Sequence, residues 1–145
     1  MDADPPPANP SDELVASSED LRLAAARAMS RSHSPYSKFP VGAAIEDETG
    51  AVHAGANIEC VSYPLGSCAE ATAIGHMVMS GGTRIVQVAV IAERMARVTP
   101  CGGCRQRLAE FGTADTLVHL CDDNGVVETV RLADLLPHGF TAELT

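Results

Sequence analysis

The stretch that decides the fold runs from Gly66 to Gly112, GSCAEATAIGHMVMSGGTRIVQVAVIAERMARVTPCGGCRQRLAEFG. It reads as helix, strand, helix. Gly66-Ser67 opens a helix running to about Ser80, where Gly81-Gly82 stops it. Arg84 to Ala92 is a β-branched run of the kind buried on both faces of a sheet. Pro100 suits the start of the next helix, which ends near Gly112. Each helix start carries thiols, Cys68 on one and Cys101 and Cys104 on the other.

Upstream, Ser17 or Ser18 can cap a helix with Glu19 and Asp20 in its first turn. Leu21, Ala24, Ala25, Ala28 and Met29 share one face of it, and Ser34-Pro35 ends it. Val41 to Ile45 and Ala51 to Ile58 flank the turn residues Asp47-Glu48-Thr49-Gly50, the pattern of a hairpin. Downstream, Leu117 to Cys121 and Val126 to Leu132 are strands around Asp122-Asp123-Asn124-Gly125, followed by a short helix at 133–136. The order predicts an α/β fold, a three-layer α/β/α sandwich on one mixed five-stranded sheet. Residues 1–16, with Pro5-Pro6-Pro7 and Pro10, are expected to be a tail that is disordered or dependent on a neighbouring subunit. Residues 17–145 are expected to form a single catalytic domain.

The chemistry lies in Cys68-Ala69-Glu70 and Pro100-Cys101-Gly102-Gly103-Cys104. Cys101 and Cys104 are three apart on one helical turn, so both sulfurs face the same way. With Cys68 they can fill three positions on zinc and leave the fourth open, as in a catalytic site. Two helix N-termini, each worth about half a positive charge, offset the negative charge of three thiolates on one zinc ion. A metal with an open position brings the pKa of water there toward ~7. Glu70 can reach that position without ligating, and a carboxylate there can carry the proton. A Cys-x-x-Cys pair alone would also suit redox chemistry, but neither the third thiol nor Glu70 has a use there. A structural zinc would want a fourth ligand, and Cys60, Cys121 and the histidines lack ligand spacing. Cys60 and Cys121 read as core cysteines.

Cys-x-Glu followed by Pro-Cys-x-x-Cys is the zinc signature of nucleobase deaminases in its three-cysteine form. Further blocks match: Tyr36-Ser37-Lys38-Phe39-Pro40-Val41-Gly42-Ala43-Ala44, Asn57-Ile58-Glu59, Ser62-Tyr63, Arg105-Gln106, and Leu135-Leu136-Pro137 with Phe140. Over residues 20–141 the chain resembles the small homotetrameric cytidine deaminases of free nucleosides. The resemblance implies zinc on Cys68, Cys101 and Cys104, and Glu70 as the catalytic proton carrier. It implies that Asn57 and Glu59 bind the sugar, Phe39 packs on the pyrimidine, and the main chain at Ala69 reads the base edge. It also implies a homotetramer in which Phe140 of a neighbouring subunit closes the pocket. The family commonly has Arg directly after the catalytic Glu, and Ala71 stands there. With that charge missing, weaker zinc retention or a higher pKa of the zinc-bound water than in an Arg-bearing relative is expected. Cys60 and Pro64 also depart from the family pattern, in the loop that would carry the sugar contacts.

Composition narrows the partners. Ten Lys and Arg against 19 Asp and Glu give a net charge of −9, which argues against nucleic acid and anionic membranes as partners. Five cysteines, an odd count, suggest a reducing, cytoplasmic setting. The expected reaction is hydrolytic deamination of cytidine and 2′-deoxycytidine in pyrimidine salvage. Two alternatives stand beside it: deamination of a modified or antibiotic cytosine nucleoside, and a catalytically silent zinc-binding assembly scaffold.

Overall fold

The computed structural model describes residues 14–142. Its elements are α1 (Ser18–Met29), β1 (Val41–Asp47), β2 (Val52–Ala56), α2 (Ala69–Met79), β3 (Ile85–Ala92), α3 (Gly102–Phe111), β4 (Leu117–Asp122), β5 (Gly125–Arg131) and α4 (Leu132–Leu135). The strands form one sheet in the order β2-β1-β3-β4-β5. Only β3 and β4 pair parallel, with α3 as their crossover; the other pairs are antiparallel. The mixed five-stranded sheet and the α/β class are as the sequence predicts.

Period-two alternation sorts the core onto two faces. Ala43, Ile45, Val88, Val90, Val118 and Leu120 point to the side covered by α2, α3 and α4, where Ala73, Met77, Leu108 and Leu132 meet them. Ala44, Ala89, Ile91 and Cys121 point to the other side and meet Leu21, Ala24 and Ala25 of α1. Helices on both faces make three layers.

Two glycines set how close the helices come. A Cβ on Gly42 would lie 2.0 Å from the Ala25 carbonyl oxygen of α1. One on Gly55 would lie 2.5 Å from the Ala73 nitrogen of α2.

The α1 face also holds a polar chain. The Gln87 side-chain amide donates to Glu46, and the His119 ring meets the Gln87 oxygen at 2.8 Å and the Thr129 hydroxyl at 2.8 Å. Much of the expected tail lies outside the described residues. Of its last part, the N–H groups of Val15 and Ala16 donate to Glu46 at 2.7 and 2.9 Å, and Gln87 donates to the Ala16 carbonyl.

The start of α2 falls at Ala69 rather than at Gly66-Ser67. Ser67 instead exchanges both backbone hydrogen bonds with Ile58, which holds the chain extended up to Cys68.

Candidate active site

Since β2 and β3 both run antiparallel to β1, they run parallel to each other. The chain leaving each strand therefore emerges at the same edge, and α2 and α3 both start there. Cys68 is the N-cap of α2 and Cys101 the N-cap of α3, each with extended backbone. Neither side chain caps its helix, so the sulfurs remain available. Cys104 follows in the first turn of α3, fully buried.

The sulfurs of Cys68, Cys101 and Cys104 all lie within 4.8 Å of one another, with 4.0 Å between the first two. Tetrahedral zinc with bonds of about 2.3 Å places its sulfurs roughly 3.8 Å apart, so the donor set fits zinc with little movement. Among the described residues no fourth cysteine, histidine or carboxylate joins the cluster. Cys60 is half-buried and Cys121 buried, both apart from it.

Electrostatics at the three sulfurs differ. Burial raises the pKa of the Cys68 thiol, with Cys101 and Glu70 adding repulsion. The backbone N–H of Cys104 lowers that of Cys101. Burial beside Glu70 pushes the Cys104 thiol well up. Without metal, two of the three sulfurs therefore prefer to keep their protons, and metal binding must release them.

Glu70, in the first turn of α2, is only 4% exposed. Burial raises its carboxyl pKa, against hydrogen bonds from its own backbone N–H and the Cys104 thiol and the charge of Arg107. A raised carboxyl is better matched to neutral-pH proton transfer than an ordinary one.

A cavity of about 390 Å³ opens over the cluster, within the size range of small-molecule sites. Cys68, Ala69, Glu70, Cys101, Asn57 and Glu59 line it, so six of the residues singled out in the sequence share one wall. Val98, Thr99, Ser67 and Tyr63 are among its other lining residues. Val98 and Thr99 directly precede Pro100-Cys101, and that adjacency was the one available signal for them.

Asn57 and Glu59 are braced. The Asn57 oxygen accepts from Val41 N–H at 2.9 Å and from Ser32, while its amide nitrogen donates to the Phe39 carbonyl at 2.9 Å. Glu59 Oε1 accepts from the N–H groups of Tyr36 and Ser37 at 3.0 and 3.1 Å. Its pKa is lowered, first by the Ser37 hydroxyl. Phe39 is half-buried and its carbonyl is held at the site's edge, but its ring does not line the cavity.

Phe140 is 78% exposed and lies elsewhere. The Gln106 side chain donates to its carbonyl and accepts from its N–H, at the wall of a separate groove along α3 and α4. Within one chain it does not meet Glu70. Arg105 is structural: it donates to the carbonyls of Pro100 and Leu135.

One residue absent from the sequence reading reaches the cluster. Arg107 donates to Cys104 Sγ at 3.7 Å. A positively charged side chain therefore stands at the cluster beside the two helix ends, although Ala71 takes the place of the family's usual Arg.

Comparison with known proteins gives one answer. The family model for the cytidine and deoxycytidylate deaminase zinc-binding region matches residues 16–120. A cytidine deaminase of Halalkalibacterium halodurans is 46% identical over 109 residues, covering 75% of this chain and 83% of the relative. One of Sporosarcina psychrophila is 40% identical over 125 residues, 86% of this chain and 92% of the relative. The crystal structure of the Burkholderia pseudomallei cytidine deaminase superposes with a TM-score of 0.78 at 38% identity, over 83% of this chain and 96% of that one. The fold, the three clustered thiols and these relatives agree, and the chain belongs to the cytidine and deoxycytidylate deaminase zinc-binding family.

Proposed function

We propose that the protein is a zinc-dependent cytidine deaminase, converting cytidine and 2′-deoxycytidine to uridine and 2′-deoxyuridine. Water adds at C4, the C4–N bond breaks, and ammonia leaves. The observation that carries this is a cluster of three thiols with no fourth protein ligand among the described residues, two of them (Cys68 and Cys101) lining one cavity with Cys104 buried behind, and a buried carboxylate beside them. The names of the relatives support the choice of substrate.

Cys68, Cys101 and Cys104 would hold the zinc, which supplies the Lewis acidity that makes water nucleophilic at neutral pH. Glu70 takes one proton of the attacking water and delivers it to ring N3; it then takes the remaining proton from the hydroxyl added at C4, as the carbonyl forms there, and passes it to the departing amino group, which leaves as ammonia. The main chain at Ala69, the first residue of α2, reads the edge of the base. Glu59, fixed by its two N–H donors, accepts a hydrogen bond from a sugar hydroxyl. Asn57 uses one amide N–H on Phe39 and has a second for the sugar. The resemblance gives Phe39 the face of the pyrimidine, which requires its ring to turn from its place outside the cavity toward the site, on the segment that Asn57 holds.

The assembled enzyme is a homotetramer in this reading, as the resemblance to the small homotetrameric cytidine deaminases implies, and a neighbouring subunit is what would give Phe140 a pocket to close. We place it in pyrimidine salvage in a reducing cytoplasm, consistent with its five unpaired cysteines. No described helix is long and apolar enough to cross a membrane. The test follows the ultraviolet band of cytidine with zinc-loaded protein beside a Glu70→Gln variant. Loss of the band with the parent protein alone is expected. An unchanged band with fully metallated parent protein would overturn the assignment.

A further inference from the structure

Three thiolates on one zinc ion leave a net charge of −1, and the buried carboxylate of Glu70 stands beside them. The two helix N-termini supply only about +0.5 each, and that field is spread over several N–H groups. Ala71, following Glu70 in the first turn of α2, adds no charge.

Arg107 occupies the place where a countercharge would act. It lies one turn beyond Cys104 on α3, and helical side chains lean toward the N-terminus of their helix. Its Nη1 accordingly reaches back to within 3.7 Å of Cys104 Sγ. The same nitrogen lies across Gly103, where a Cβ would stand 3.1 Å from it. The bare glycine thus makes room for the guanidinium at the start of α3. A cation at the positive end of a helix is unfavourable unless an anion is there to receive it. The anions available are the thiolate cluster, which its Nη1 contacts, and the neighbouring Glu70 carboxylate.

We propose that Arg107 is a positioning residue for the metal centre: its charge and its N–H···S contact hold the Cys104 thiolate and so retain zinc. This rests on the zinc reading of the site. Groups that hydrogen-bond to metal ligands typically change metal affinity by roughly 10–100-fold when removed. The exposed stem of Arg107 lies outside the core, so its replacement leaves the fold in place.

The test measures the rate at which zinc passes from the full-length protein to a chromophoric chelator at fixed pH. Arg107→Gln keeps the length and removes the charge, and is expected to release zinc about 10–100-fold faster than the parent. Arg107→Lys keeps the charge and is expected to stay within a few-fold of the parent. Release from Arg107→Gln at the parental rate overturns the proposal. So does equally fast release from both variants, since charge would then not be what retains the metal. Parent protein that binds no zinc overturns the metal reading itself, a result distinct from equal release by zinc-loaded proteins.

Discussion

Glu70 carries the heaviest demand of any single residue, because the cavity offers no other carboxylate beside the sulfurs. Glu70→Gln preserves its shape and burial but removes the proton carrier. Deamination is expected to fall at least about 10²–10⁴-fold, while zinc content stays at the parental level by metal analysis. A parallel loss of zinc would recast Glu70 as support for the metal. Asn57 behaves differently, since its amide ties together Val41 N–H, Ser32 and the Phe39 carbonyl. Asn57→Ala strands those partners, so a stability loss of about 1–3 kcal/mol is expected with a raised KM, read by urea denaturation and steady-state kinetics. The thiols and Glu70 were legible in the sequence because metal chemistry dictates residue type and spacing together. Arg107 was not, because an arginine one turn after a ligand looks like any solvated helix residue until its head group is seen lying over Gly103.

The elements were legible where turn chemistry punctuates them. Asp47 to Gly50 and Asp122 to Gly125 each carry a short acidic residue whose carboxylate accepts backbone N–H groups, followed by a glycine with positive φ. Helix starts were less legible, since the Ser67–Ile58 bridge is a long-range pairing that no local signal announces. The helix–sheet spacing depends on two glycines whose partners are distant in sequence. Gly42→Ala and Gly55→Ala each force a methyl into backbone, and each is expected to cost about 1–3 kcal/mol by thermal melting. Their effects on the site should separate: Gly55 presses on α2, which carries Cys68 and Glu70, whereas Gly42 presses on α1, which carries no site residue. Zinc content is therefore expected to drop with Gly55→Ala and hold with Gly42→Ala. The polar chain across the other face gives a pH signature. Burial lowers the pKa of His119 below its ordinary 6.5, so the unfolded chain takes up the proton first as pH falls. Stability from this group is complete above 6.5 and declines from there toward the lower folded value, by at most about 1.4 kcal/mol per pH unit. His119→Gln should flatten that decline in urea melts taken between pH 8 and pH 5.

At the scale of the whole molecule, one chain exposes apolar surface that the proposed assembly would cover. Ile58, Val61, Tyr63 and Leu65 are half or more exposed beside the cavity, at 50%, 76%, 72% and 73%. Such a cluster next to a site marks a contact surface. Phe140, also exposed, is held by Gln106 away from its own chain's Glu70. If each pocket is closed by a neighbour's Phe140, catalysis becomes divisible between chains. Glu70→Gln chains would still lend Phe140 to a neighbour, and Phe140→Ala chains would still supply a working carboxylate. Each variant alone is expected to be impaired, the first severely. Denatured together and reassembled in equal amounts, they would form parental sites wherever a Phe140→Ala pocket meets a Glu70→Gln neighbour. Random mixing with one donor per pocket makes that about a quarter of all sites, so activity should rise well above the mean of the separate variants. A Phe140 acting within its own chain allows no such gain, because no mixed assembly would join an intact Glu70 to an intact Phe140.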